Sequence, residues 1–81
     1  MPPYEERYSA GSLVRVAPIS ELERFKQAWH HHHPLDDSQL RFADAVARVK
    51  DVSFYHGGDT LYVLEDVPGT WHEQCLRPHS R

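Results

Sequence analysis

Seven histidines and a single cysteine hold most of the chemistry that this chain of 81 residues could perform. His30, His31, His32 and His33 are consecutive, and His56, His72 and His79 follow. Imidazole nitrogen is a good ligand for zinc, copper and nickel. Neighbouring residues of a helix point about 100° apart, so four adjacent histidines cannot all face one ion. Two of them, joined by His56 or His72, could. His72-Glu73-Gln74-Cys75 adds a spacing in which a nitrogen and a thiolate could both bind. A metal site drawn from His31, His33, His56, His72 and Cys75 is therefore one reading. The other is an exposed polar loop and strand histidines that make ordinary hydrogen bonds. The second is favoured, because a closed metal site needs four placed ligands and only loose spacings are visible.

Cys75 could be a nucleophile only with a nearby base and a lowered pKa. His72 is a candidate base, but no Asp or Asn is placed by spacing to orient it. Cysteine is also among the most buried residue types, and between Gln74 and Leu76 the core reading is preferred. The pairs Asp36-Asp37 and Glu65-Asp66 read as solvated turn acids. Gly57-Gly58 lacks the following Lys-Ser/Thr and helix of a phosphate loop. No cofactor is expected, and catalysis by this chain alone is not expected. Tyr55, Tyr62 and Trp71 fall on strands and Trp29 ends a helix. Exposed aromatic residues dominate binding energy, so a partner surface is expected at Trp29, Tyr55, His31, His33 and His56. Trp71 and Tyr62 are expected in the core.

Composition narrows the field. A chain of this length has room for one domain and one core. With 40% hydrophobic residues it is not a disordered polymer. A net charge of −3 offers no surplus to neutralise phosphates, so nucleic acid is not an expected partner. One cysteine allows no disulfide within the chain. The acidic start, Met1 to Glu6, does not read as a signal peptide. No apolar run approaches the roughly 20 residues that span a bilayer. A cytoplasmic protein with no membrane partner is the expectation.

The elements that must position these groups follow from patterning. Residues 1–10 read as a flexible arm that Tyr4 and Tyr8 could pin. Gly11 to Val16 reads as a strand that Pro18 stops. Ser20 to Trp29 reads as a helix with a Ser20/Glu23 capping box and an apolar face of Leu22, Phe25 and Trp29. Pro34 ends the histidine tract. Residues 39–49 are ambiguous between helix and strand. A loop or helical turn to about Asp44, then a strand to Tyr55 with a bulge near Lys50-Asp51, is preferred. His56-Gly57-Gly58-Asp59 is a turn, and Thr60 to Glu65 alternates as a strand. Asp66-Val67-Pro68-Gly69 reads as a second turn, and Pro68-Gly69 suits the central positions of type II geometry. Thr70 to Glu73 reads as a further strand, and Gln74-Cys75-Leu76 as a tight helical turn. The fold class is mainly β: a small closed barrel of about five strands, residues 11–81, with one short helix in the long connection after the first strand.

These residues resemble a known family. Leu13-Val14-Arg15-Val16, His33-Pro34-Leu35, Ala47-Arg48-Val49, Leu61-Tyr62-Val63-Leu64 and Trp71-His72-Glu73-Gln74-Cys75-Leu76-Arg77-Pro78 resemble the SH3-like barrel of the nitrile hydratase β subunit. The variable chain of ferredoxin–thioredoxin reductase and the SH3-like accessory subunit of photosystem I are similar in outline. The resemblance spans roughly residues 11–78. It departs where Phe42-Ala43-Asp44-Ala45-Val46 replaces a glycine-rich entry to the second strand. Nitrile hydratase carries its metal and catalytic cysteines on the other subunit. The resemblance therefore implies an accessory subunit or protein-binding module, or a β-type component of a nitrile-hydrolysing enzyme, with a protein partner or a second copy of itself.

Overall fold

The computed structural model describes residues 7–30, 32–55 and 59–79. Five antiparallel strands run β1 (Leu13–Val16), β2 (Val46–Phe54), β3 (Thr60–Leu64), β4 (Val67–His72) and β5 (Leu76–Pro78). They form one sheet in the order β4-β3-β2-β1-β5. The first connection carries helix α1 (Ile19–Ala28) and a 3-10 helix (Asp37–Phe42), and a second 3-10 turn (Glu73–Cys75) joins β4 to β5. The protein is thus mainly β, with its short helix in the expected connection. The described ladder is not closed by hydrogen bonds, because β4 and β5 are its two ends. The second 3-10 turn links them through the chain.

Strand β2 is the long member that joins the sheet's two halves. Its early part pairs with β1, at Leu13–Arg48 and Val14–Ala47, and its later part pairs with β3. The register shifts between Val49 and Asp51, where a change of apolar phase required a bulge. The ambiguous segment resolves as expected, into a 3-10 helix to Phe42 and then strand from Val46.

Two local expectations are corrected. Ser20 does not cap α1. The helix begins one residue earlier, with Pro18 as its N-cap and no side-chain cap bond. The Pro18 carbonyl accepts from the Glu21 and Leu22 amides, so Ser20 already lies within the first turn. A capping box does occur at the first 3-10 helix, between Asp36 and Gln39. The turn after β3 is also displaced. Leu64 pairs with Val67, leaving Glu65-Asp66 as the turn, with Asp66 at φ 62°. Aspartate tolerates this left-handed geometry better than most residues. Pro68-Gly69 becomes a bulge within β4, which as an edge strand tolerates proline.

The core is built from Val14, Val16, Val49, Tyr62, Trp71 and Leu76 on the sheet, with Leu22 from α1 and Cys75 from the second 3-10 turn. Tyr8 joins it. Its ring packs on Tyr62 with centroids 5.6 Å apart, and its hydroxyl donates to the Leu76 carbonyl. The Tyr62 hydroxyl accepts from the Arg7 and Tyr8 amides and donates to Glu73 Oε2 at 2.6 Å. Burial and that carboxylate push the phenol up to about 12. From Arg7 onward the chain is thus docked through one of the two tyrosines expected to pin it. Residues 1–6, the rest of the expected arm, lie outside the described residues.

Candidate aromatic and imidazole site

Three chain segments meet at one place on the surface: the end of α1 with the histidine tract, the β2–β3 connection, and the end of β4. Helix α1 is too short to stand alone in water. It docks by burying Leu22, and its last turn presents Phe25 and Trp29 on the same face. The Trp29 ring stacks on Phe25 at 5.3 Å and 15°, and it lies 4.7 Å from His72. Its indole N–H donates to the His32 carbonyl at 2.6 Å. That bond holds the chain as it leaves the helix.

His32 is the hub. Its ring stacks on Tyr55 at 3.7 Å and 16°, and meets Trp29 edge-on at 88°. Its Nε2 donates to Asp59 Oδ2 at 2.8 Å, since a carboxylate can only accept. The Tyr55 amide donates to the Asp59 carbonyl and closes the β2–β3 connection, which brings the carboxylate to the edge of the ring. The Nδ1 atoms of His32 and His33 lie 2.9 Å apart, so one ring donates to the other. His33 adopts φ 50°, and its carbonyl accepts from His72 Nε2 at 2.8 Å.

His72 is 3% exposed and sits between the Phe25 and Trp29 rings and the histidine tract. Burial lowers its pKa, and the bond to the His33 carbonyl opposes that shift. Beside it lies a polar cleft of about 140 Å³ lined by Asp59, Thr60, His72, Glu73 and Gln74.

Of the residues expected at a partner surface, Trp29, His33 and Tyr55 come together, while His31 and His56 lie outside the described residues. Of the expected metal set, His33 and His72 share this cluster. Cys75 belongs to the core instead, 1% exposed, and burial pushes its thiol up to about 12. Among the described residues no group of three or more His, Cys, Asp and Glu side chains is gathered to hold a metal ion. Also among them, no helix is long and apolar enough to cross a membrane. The sequence reading missed His32 and Asp59. The turn signal at His56 to Asp59 located the connection, but only the pairing of Phe54 with Thr60 aims its last residue at the histidine tract.

Comparison with protein-family models, with curated proteins and with solved structures finds no match.

Proposed function

We propose that this chain is a non-catalytic binding module or accessory subunit on an SH3-like barrel, and that its partner docks on the face formed by Trp29, His32, His33 and Tyr55. The observation that carries this reading is the stacked, partly exposed array of Trp29, His32 and Tyr55, which the first connection and the β2–β3 connection bring together. Such rings offer large contact area with few rotamers left to order, which is what a recognition surface needs. The strand order β4-β3-β2-β1-β5, the long first connection and the 3-10 turn before β5 support the SH3-like reading. A protein partner or a second copy of the chain is the occupant that the nitrile hydratase β-subunit resemblance favours. A β-type role beside an α-like chain with clustered cysteines is the specific form of that proposal.

Affinity capture from the native host, with the parent and a Tyr55→Ser variant compared side by side, tests it. Tyr55 is 38% exposed, so this change should leave the fold intact. Light scattering of the purified chain tests self-association in parallel. The expected result is a specific partner, or a dimer, that Tyr55→Ser weakens at least tenfold. A monomer that captures nothing, or a partner held equally by both proteins, removes the reading.

A further inference from the structure

The polar cleft beside His72 leads to a different proposal, independent of any protein partner. Strand register builds this cleft. Leu61 pairs with His72, so the next step of the same ladder brings Thr60 towards Glu73, and Asp59 precedes Thr60 in the chain. These residues and Gln74 line a space of about 140 Å³. At roughly 30 Å³ for each water of the liquid, that is room for about four or five non-hydrogen atoms. A drug-sized ligand needs about 300–1,000 Å³ and does not fit.

The lining is rich in acceptors and its charge has one sign. Asp59 and Glu73 are part of it, and no Lys or Arg is. Asp59 Oδ2 is engaged by His32, and Glu73 Oε2 by the Tyr62 hydroxyl and the Arg7 amide. The other oxygen of each carboxylate has no partner among the described residues. The second observation is Thr60. It is 8% exposed, and among the described residues its hydroxyl makes no hydrogen bond. That hydroxyl is not sealed in the core, where Trp71 Nε1 is the unpartnered atom among the described residues. It therefore opens onto the cleft that Thr60 lines. His72 donates from Nε2 to the His33 carbonyl, and burial favours its neutral ring. Its Nδ1 is then a further acceptor.

We propose that this cleft binds the ammonium group of a small primary alkylamine, held by Asp59, Glu73 and the Thr60 hydroxyl. An ammonium has three N–H donors and no acceptor, which suits two carboxylates and a hydroxyl that each still have a free lone pair. It is held at hydrogen-bond distances of about 2.7–2.9 Å. A zinc ion needs ligands at about 2.0–2.3 Å, and among the described residues no three His, Cys, Asp and Glu side chains gather to hold a metal ion. The space beyond the nitrogen takes an alkyl tail of up to about four carbons.

Titration of n-butylammonium chloride into the full chain, followed by amide NMR shifts at constant ionic strength, tests the site. Saturable shifts at Thr60, Glu73 and Gln74 are expected. Tetramethylammonium chloride carries the same charge without an N–H donor and should bind at least tenfold more weakly. Glu73→Gln and Asp59→Asn keep an acceptor for Tyr62 and for His32, and each should weaken binding about tenfold or more, the loss of a charged hydrogen-bond partner. Thr60→Val keeps the shape and the strand preference, and should weaken it about 3–10-fold. Glu65→Gln, in the β3–β4 turn, and Tyr55→Ser should leave it unchanged, so failure here is separate from failure of the partner surface. Shifts no different from those of sodium chloride overturn the proposal. So does equal binding of tetramethylammonium, or an equal loss in Glu65→Gln, which is the behaviour of diffuse acidic charge. If either acidic variant fails to fold, the comparison of Thr60→Val with Glu65→Gln decides alone.

Discussion

The carboxamide of Gln39 occupies the space that a β-carbon on Gly69 would need. An ideal Cβ there would lie 2.7 Å from Gln39 Nε2 and 2.9 Å from Cδ. The amide is held at both ends: Nε2 donates to the Thr70 carbonyl and Oε1 accepts from the Asp36 amide. One side chain thus ties the first connection to the bulge in β4. Gly69 also stands at φ 96°, where a side chain is strained in any case. Gly69→Ala should cost about 2 kcal/mol or more in urea unfolding. The same change made on a Gln39→Ala background should cost measurably less, since part of the clash is gone. Strict additivity would contradict this packing.

Trp71 is fully buried, and among the described residues its indole N–H has no hydrogen-bond partner. Trp71→Ala should destabilise by about 3–5 kcal/mol, which consumes most of the margin of a domain this small. Trp71→Phe keeps a ring and removes the unpaired donor, whose burial costs about 1–3 kcal/mol. It should therefore cost less than half as much in thermal or urea unfolding. Equal loss in the two variants would mean that the indole N–H is satisfied in solution.

Cys75 should behave as a core residue. Its thiol lies at about 12 through burial and is 1% exposed. At pH 8 a thiol-specific chromogenic reagent should react only at the rate of unfolding, and at once in denaturant. Cys75→Ala should cost about 1–2 kcal/mol, and Cys75→Ser more, because the hydroxyl would need a partner. Rapid labelling of the folded protein would restore a reactive role for this residue.

His72 should make stability fall in mild acid. Its folded pKa lies below the ordinary 6.5, first through burial, then through the nearby His32 and His33, against the raising effects of the His33 carbonyl and Asp59. Above pH 6.5 both states are neutral at this ring, and the full stability is present. As pH falls below 6.5 the unfolded chain takes up a proton that the folded chain resists, so stability drops until the folded ring also protonates. Urea midpoints measured from pH 7.5 to 4.5 should decline, and His72→Gln should flatten part of the decline. A flat profile in the parent would refute the burial of a neutral ring.

Much of the architecture was legible because short-range physics governs it. Alternation and β-branched content marked the strands, the apolar spacing of Leu22, Phe25 and Trp29 marked the helix face, and the change of phase near Lys50 marked the bulge. The errors fell where two local solutions compete. Ser20 and Pro18 both offer a start for α1, and the proline won. Glu65-Asp66 and Pro68-Gly69 both offer a turn, and the choice followed from pairing Leu64 with Val67. Such choices depend on the register between strands, which no window of a few residues contains.

The site divides along the same line. Residue types alone pointed to imidazoles and aromatic rings as the groups able to bind, and put Cys75 in the interior, where it lies. Which imidazoles meet was a tertiary matter. His32 is a hub because the β2–β3 connection brings Tyr55 and Asp59 against it and the end of β4 sets His72 against the His33 carbonyl. Consecutive histidines are chemically identical in a string of letters. His32 is set apart by what the folded chain places against its ring, Tyr55 at 3.7 Å and His72 at 5.4 Å.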